Sequence, residues 1–220
     1  MHTKNITYNK VPIKVSIRSD ADDSVFNEIF IERDYKDLEP TIKNATNQII
    51  DIGGHTGMFA IYARTLNPSV PITTYEPSQE NFTTLKENLK QNHIKNIQAK
   101  NLAISDKQGQ ATLYLSEDSH NHSLTEKTKK SDKTQITQTT TLDRIIKAQT
   151  DLVKIDAEGA EFEIIESAPI ETLRLIKTIY IEYHQNPPTP LTQKLQKAGF
   201  HTKTTPSHYD KSMGFILATA

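Results

Sequence analysis

The sequence contains no cysteine and no tryptophan, and only seven of its 220 residues are glycine. The absence of cysteine excludes disulfide bonds, thiolate zinc sites and a cysteine nucleophile. It is compatible with a reducing compartment, and we expect the protein to be cytoplasmic.

Long apolar runs and an excess of charge of one sign are also absent. No apolar run approaches the roughly 20 residues of a membrane-spanning helix, and no apolar segment follows Met1–Asn5 in the manner of a signal peptide. The formal net charge is −1, so the chain has no overall attraction to nucleic acid or to a membrane surface. We therefore expect a small-molecule partner and no membrane association, and the oligomeric state stays open.

Apolar segments alternate with amphipathic ones along most of the chain. The predicted strands are 11–18, 48–52, 70–75, 97–104, 111–115, 151–156, 175–183, 200–205 and 213–218. The predicted helices are a short one capped by Ser24, then 57–66, 78–92, two ending near Lys147 and Ser167, and 189–198. Strands alternating with helices predict a doubly wound, mostly parallel α/β sheet, with its last two strands antiparallel to each other.

We divide the chain into an N-terminal strand and helix extension, residues 1–46, that packs on a main domain, residues 47–220. Within the main domain, residues 116–138 are rich in Ser, Thr, Lys, Asp, His and Gln and contain few large aliphatic residues. This composition predicts a mobile loop or lid. We expect its His120 and His122 to be solvated and to reach the substrate when the lid closes.

Three of the seven glycines fall within five residues, in the segment Asp51-Ile-Gly-Gly-His-Thr-Gly57. A predicted strand leads into this segment and a predicted helix follows it. Glycine allows positive φ and close approach of a ligand to the backbone, and a helix N-terminus offers unpaired N–H groups to a polar or anionic group. The segment therefore predicts a nucleotide-type cofactor site, although a plain tight turn would explain the same glycines.

The segment does not match G-x-G-x-x-G, the fingerprint of dinucleotide-binding sites. Its acid stands directly before the glycines, and this order resembles the first motif of class I S-adenosylmethionine-dependent methyltransferases. Asp51 would hold the ammonium group of that cofactor, directly or through water, and Gly53, Gly54 and Gly57 would leave room for its amino-acid tail. Glu76 ends the next predicted strand, where a carboxylate accepts hydrogen bonds from ribose hydroxyls. The residues expected near the adenine are Asn101, Ala103 and Ser105.

Charged residues follow two further strands. Lys154 and Asp156 point to one face of a strand, and Glu182 and His184 share a face at the end of the next. Burying a charged side chain in a strand costs free energy of hydration unless the charge is paired with another group or binds a ligand. Because ligands bind beyond the carboxyl ends of strands in open α/β sheets, we expect these groups to converge near the glycines. An ion-pair network around solvated loops is the alternative.

Four stretches together resemble the FkbM-type family of S-adenosylmethionine-dependent methyltransferases. They are Asp51–Gly57, Tyr75–Pro77 with the helix through Asn88, Ala103–Asp106, and Lys154–Glu161 with Ile181–His184. The resemblance covers about residues 45–185. It implies a seven-stranded Rossmann-like sheet with an antiparallel C-terminal strand, in a class I methyltransferase domain at 47–220. Most family members are O-methyltransferases acting on sugars, polyketides or other secondary metabolites, so it also implies S-adenosylmethionine as cofactor and a small hydroxylated acceptor.

A hydroxyl acceptor usually needs a group that removes its proton. We assign His184 as the general base, oriented by Glu182 or Asp156, and place Lys154 in the catalytic group. Asp156 is also assigned to the cofactor site. His55 is the rival base; Gly54-His55 stands where Ala-Asn is more usual in the family, which leaves the role of His55 open. A divalent metal held by Asp156, Glu182 and His184 is a less favoured alternative because this spacing is generic, and we predict no metal site.

Three other functions compete with a small-molecule methyltransferase. An RNA methyltransferase would share the sheet, but the balanced charge and the absence of a recognisable RNA-binding module argue against it; the lysines near 127–133 are the only hint in its favour. A non-catalytic cofactor-binding protein is disfavoured by the intact glycine segment. A nicotinamide dehydrogenase is disfavoured by the absence of G-x-G-x-x-G.

Overall fold

The computed structural model describes residues 2–116, 122–124, 133–184, 187–207 and 212–220. In chain order the strands are β1 (His2–Tyr8), β2 (Val11–Ile17), β3 (Ile49–Ile52), β4 (Ile72–Tyr75), β5 (Ile97–Lys100), β6 (Ala103–Ile104), β7 (Gly109–Tyr114), β8 (Thr134–Thr140), β9 (Thr150–Ile155), β10 (Ile176–Tyr183), β11 (His201–Pro206) and β12 (Gly214–Thr219). The helices are α1 (Asp20–Asn27), α2 (Glu39–Asn44), α3 (Met58–Leu66), α4 (Gln79–Gln91), α5 (Leu142–Ile145), α6 (Glu161–Ser167), α7 (Ile170–Leu173) and α8 (Thr189–Ala198). A π-helical turn (Glu28–Glu32) follows α1, and a 3-10 turn (Lys36–Leu38) precedes α2.

A seven-stranded sheet with the order β11-β12-β10-β9-β3-β4-β5 forms the centre of the fold. The strands from β10 to β5 pair in parallel, whereas β12 runs antiparallel to both β10 and β11. The predicted seven-stranded, mostly parallel sheet with an antiparallel C-terminal strand is therefore confirmed. Among the helices in the described part of the chain, none is long and apolar enough to cross a membrane.

Both faces of the central strands are covered, which explains their continuous apolar sequences. Successive side chains alternate between two apolar cores: Ile49 and Leu152 contribute to one core, and Ile50 and Val153 to the other. The first core also contains α3 and the N-terminal segment, and the second contains α6 and α8. Every residue of β9 is buried, so the carboxyl end of the sheet is left as the place where polar groups gather.

The N-terminal segment forms an antiparallel hairpin of β1 and β2, then α1 and the π-helical turn. The hairpin strand β1 was missing from the sequence prediction, since its alternating polar residues lie mostly at the surface. The predicted cap at Ser24 is wrong: Ser19 caps α1, because its hydroxyl accepts a hydrogen bond from the backbone N–H of Asp22.

Two predicted elements differ in the structure. The predicted strand 97–104 divides into β5, in the central sheet, and β6, in a separate three-stranded sheet with β8 and β7. The predicted lid 116–138 is wrong at its end, because β8 begins at Thr134 and pairs antiparallel with β7 along its length. Polar composition hid this strand, because its buried side chains are those of Thr137, Thr139 and Thr140, while its one aliphatic residue, Ile136, is exposed. The rest of that segment, apart from 116, 122–124 and 133, lies outside the described residues, and so does His120.

Asn88 of α4 joins the N-terminal hairpin to the glycine segment. This fully buried residue accepts a hydrogen bond from the N–H of Ser16 at 2.9 Å and donates one to the carbonyl of Thr56 at 2.8 Å. We expect Asn88→Ala to lower the free energy of unfolding by about 2 kcal/mol, because it leaves two buried backbone groups without partners. Urea unfolding measures this loss. The exposed Glu87→Ala on the same helix is the control, and equal stability of the two variants would contradict the prediction.

Candidate active site

An open pocket lies beyond the carboxyl ends of β3, β4, β9 and β10, where open α/β sheets bind ligands. It encloses about 940 Å³, part of which is open to solvent, and this is the size range of small-molecule and cofactor sites. Its wall combines aromatic and aliphatic side chains with several carboxylates and one lysine.

The glycine segment forms the turn between β3 and α3. Gly53 has a φ of +79°, and a Cβ atom on it would lie 1.7 Å from the carbonyl oxygen of Asp156. A Cβ on Gly54 would lie 2.0 Å from the Thr74 hydroxyl, and Gly57 takes a φ of +84° as the cap of α3. The protein's own packing therefore requires glycine at these positions, which brings the turn close to β4 and to the end of β9.

Glu76 follows β4 and is held by backbone groups of two segments. One carboxylate oxygen accepts the N–H of His55 at 2.8 Å, and the other accepts the N–H of Ser78 at 2.8 Å. Burial raises its pKa to about 7, and the two backbone N–H groups oppose that rise. The residue lines the pocket beside the glycine turn, as the sequence led us to expect.

Lys154 of β9 is almost completely buried, and its ammonium group joins three segments. It donates to the carbonyl of Gly53 at 2.9 Å and to Asp156 at 3.2 Å, and it lies 3.5 Å from Asp51. Burial disfavours its charge, but the neighbouring carboxylates outweigh burial and raise its pKa. Asp51 is fully buried behind Lys154, where it also accepts a hydrogen bond from Thr74 at 2.8 Å. Asp51 is absent from the pocket wall, whereas Lys154 and Asp156 belong to it.

Two further carboxyl groups, Glu158 and Glu182, line the pocket near Lys154. Burial and the proximity of Asp156 raise the pKa of both. A higher pKa makes the ionised form of such a carboxyl group a stronger base than an ordinary carboxylate. The sequence analysis had given Glu182 only an orienting role and had not assigned Glu158.

His184 lies behind this wall and does not line the pocket. Its Nδ1 is 3.2 Å from Glu161 and its Nε2 is 3.7 Å from Glu158. Although burial lowers the pKa of His184, these carboxylates raise it to about 10. A histidine that stays protonated at neutral pH is a poor proton acceptor, so this geometry argues against His184 as the general base. Its hydrogen-bond partner in the structure is Glu161, whereas the sequence analysis named Glu182 or Asp156.

The potential metal ligands also differ from the predicted set. Among the described residues, Asp156, Glu161 and His184 offer ligand atoms within 4.8 Å of one another, so Glu161 stands where the sequence analysis placed Glu182. Glu161 already accepts hydrogen bonds from the N–H groups of Ala157 and Gly159, at 2.7 and 3.0 Å. Those bonds and the protonated His184 fit a closed ion-pair cluster rather than a metal centre.

The predicted cofactor residues divide into two groups. Those that line the pocket are Gly53, Gly54, Glu76, Ala103 and Asp156. Asn101 instead donates to the carbonyls of Glu76 and Pro77, at 2.9 and 3.0 Å, and so holds the loop after β4. Ser105 donates to Asp106 at 3.0 Å and also lies outside the pocket wall, with Asp51 and Gly57.

The N-terminal segment is a part of the pocket wall that sequence reasoning missed. It contributes Val25, Glu28, Ile29 and Tyr35, and no sequence signal pointed to them, because the apolar periodicity of an ordinary core helix accounts for this segment. His122, which we expected to be solvated and to reach the substrate on closure of the lid, is half-buried and lines the pocket. The hydroxyl of the neighbouring Ser123 donates to the carbonyl of Glu158 at 2.8 Å.

Residues 51–202 match the family model described as the methyltransferase FkbM domain. "Methyltransferase 1" of Beauveria bassiana (strain ARSEF 2860) is 24% identical over 181 residues, which cover 72% of this chain and 72% of the relative. The solved structure of a methyltransferase FkbM from Methylobacillus flagellatus KT has a TM-score of 0.57 at 12% identity, over 87% of this chain and 47% of that one. An rRNA methylase from Streptococcus thermophilus has a TM-score of 0.53 at 7% identity, over 86% and 98% of the two chains. These two structures show the shared fold.

The raised pKa of His184 predicts a pH dependence of stability. The folded protein holds this proton more tightly than the unfolded chain, so the stabilisation is complete below about pH 6.5 and is lost as pH rises toward 10. We expect the free energy of unfolding to fall between pH 7 and 10, and to fall less steeply in His184→Gln. Urea unfolding at a series of pH values measures both slopes. The exposed His201→Gln serves as the control, and a wild-type slope in His184→Gln would refute the assignment.

Proposed function

The chain belongs to the FkbM methyltransferase family, and on this basis we propose that it transfers the methyl group of S-adenosylmethionine to a hydroxyl of a sugar or another small metabolite. The observation that carries the proposal is the convergence of Glu76, the glycine turn and a set of carboxylates on one pocket. The family membership supports methyl transfer, and the chemistry of the pocket supports the cofactor and the acceptor class.

The residues present fit S-adenosylmethionine. Glu76 would accept hydrogen bonds from the ribose hydroxyls, as a carboxylate after the second strand of such a sheet does for a nucleoside. Asp156 would attract the cationic part of the cofactor, with Asp51 acting through Lys154 behind it. Ala103 lines the wall beside Tyr75, where an adenine ring would find apolar surface.

Glu182 is the proposed general base. When bound, S-adenosylmethionine supplies a methyl group that its sulfonium has already activated. What the protein must add is position and removal of the acceptor proton. Glu182 faces the pocket, and its raised pKa favours proton uptake. Lys154 keeps Asp156 ionised, and the His184–Glu161 pair holds the loop that carries Glu158.

The charge of the pocket favours a small uncharged or cationic acceptor over RNA. The wall contains the carboxyl groups of Glu28, Asp156, Glu158 and Glu182 and one ammonium group, that of Lys154. RNA-binding sites present basic surfaces to the phosphate groups of their substrate, and this wall offers a single lysine. The lysines 127, 129 and 130 that hinted at RNA lie outside the described residues.

Glu76→Gln tests the cofactor assignment. We expect it to weaken the binding of S-adenosylmethionine and of its demethylated product at least tenfold, since the amide keeps the volume but loses the anionic acceptor. Isothermal titration calorimetry measures both affinities. The control is Glu80→Gln, whose side chain is 80% exposed. Wild-type affinity in Glu76→Gln would refute the assignment, and a wild-type protein that binds the cofactor but methylates nothing would favour the non-catalytic alternative.

Glu182→Gln tests the base. We expect turnover to fall by a factor of about 100 or more, with affinity for the demethylated cofactor changed less than twofold. Incorporation of label from methyl-labelled S-adenosylmethionine into a panel of hydroxylated sugars measures turnover. His184→Gln should keep more activity than Glu182→Gln. The opposite order would return the role of base to His184.

A further inference from the structure

One wall of the pocket comes from the N-terminal segment. Val25 of α1, Glu28 and Ile29 of the π-helical turn, and Tyr35 line the same pocket as Gly53 and Glu76. All four residues precede the part of the chain that matches the family model, residues 51–202. We call the stretch Asp20–Glu32 the N-terminal wall.

Aromatic packing fixes where this wall lies. Tyr35, just after the wall, packs against Phe59 at 5.0 Å and against Tyr180 at 5.6 Å between ring centroids. Tyr180 belongs to β10, the strand that also carries Glu182. The wall therefore ends near the strand that carries the proposed base.

At its other end, a ring of polar contacts connects the wall to Glu76. Asp22 of α1 is fully buried. It accepts hydrogen bonds from Arg18 at 2.8 and 2.9 Å and lies 3.3 Å from Nε2 of His55. The backbone N–H of His55 donates to Glu76. The same Arg18 donates to Asn81 at 2.9 Å, and Asn81 lies 3.5 Å from the other oxygen of Glu76, which closes the ring.

We propose that the N-terminal wall is the acceptor-facing side of the pocket, and that the Asp22–His55 contact makes its position depend on occupation of the cofactor site at Glu76. This inference rests on the proposed function for the identity of the cofactor. Asp22 and His55 are positioning residues here.

The coupling has a physical basis in the short path between the two sites. The shorter of the two routes from Asp22 to Glu76 passes through one residue, His55: its side chain contacts the wall, and its backbone N–H contacts the carboxylate. A ligand that fixes Glu76 also fixes the His55 backbone, and the His55 side chain then holds α1. Because coupling free energies are reciprocal, an ordered wall in turn strengthens cofactor binding.

His55→Asn tests the coupling. His55 has a φ of +47°, a conformation that asparagine tolerates, while the shorter side chain cannot reach Asp22. Hydrogen–deuterium exchange with and without S-adenosylhomocysteine follows the amides of 20–32 and 53–57. In the wild type we expect the ligand to slow exchange in both segments. In His55→Asn we expect it to slow exchange at 53–57 only, with an affinity at least fivefold weaker.

The control is Asp23→Asn, on the same helix but in an exposed pair with Lys4, which should behave as the wild type does. Wild-type protection of 20–32 in His55→Asn, or no ligand-dependent protection there in the wild type, would overturn the coupling. Absence of protection at 53–57 in the wild type would instead overturn the cofactor assignment. The two failures are therefore distinguishable.

Val25→Phe tests which part of the pocket the wall faces. The residue is only partly buried, so the larger ring can enter the pocket without repacking the core. If the wall faces the acceptor, affinity for S-adenosylhomocysteine should change less than twofold. A loss of tenfold or more would show that the wall covers the cofactor, and would overturn the acceptor-facing assignment.

Discussion

The buried ammonium group of Lys154 joins three parts of the chain that are distant in sequence: the end of β3, the glycine turn and the end of β9. Placing an ammonium group inside the protein is costly unless nearby carboxylates and carbonyls compensate it. Asp51, Asp156 and the Gly53 carbonyl supply that compensation at distances of 2.9 to 3.5 Å. The buried ammonium group is fully compensated only when both carboxylates and the carbonyl lie around it. The position of the glycine turn and the charge of the pocket therefore depend on one another.

The remaining carboxylates acquire their chemistry from this arrangement. Glu158 and Glu182 are buried and lie near Asp156, and both effects raise their pKa values even though Lys154 lowers them. The ionised forms of these two groups are therefore stronger bases than an ordinary carboxylate. His184 is bound instead by Glu161 and Glu158 and keeps its proton. The division between proton acceptor and protonated partner thus follows from position in the fold, since histidine in water is the stronger base.

The sequence predicted much of the fold and of the cofactor site for identifiable reasons. Two local patterns allow few structures. One is a group of glycines directly after an apolar segment, and the other is an acid at the end of the next strand. The strand β8 escaped prediction because its Thr and Gln residues have the composition of a loop, while only its pairing with β7 reveals a strand. The surroundings of His184 escaped prediction because a strand end shows which residues share a face, but not that Glu161 of α6 would contact the imidazole ring.

The sequence by itself determined the doubly wound sheet, the place of the glycine turn and the position of Glu76, because each depends on residues near one another along the chain. Only the tertiary structure decided that Asp51 lies behind Lys154, that Glu182 faces the pocket while His184 does not, and that the N-terminal segment completes the wall. Those outcomes depend on contacts between side chains that are far apart in the sequence, as Tyr35 and Tyr180 of β10 are. The burial and the electrostatic environment of these side chains depend on the packing of the whole chain, so no local sequence pattern predicts them.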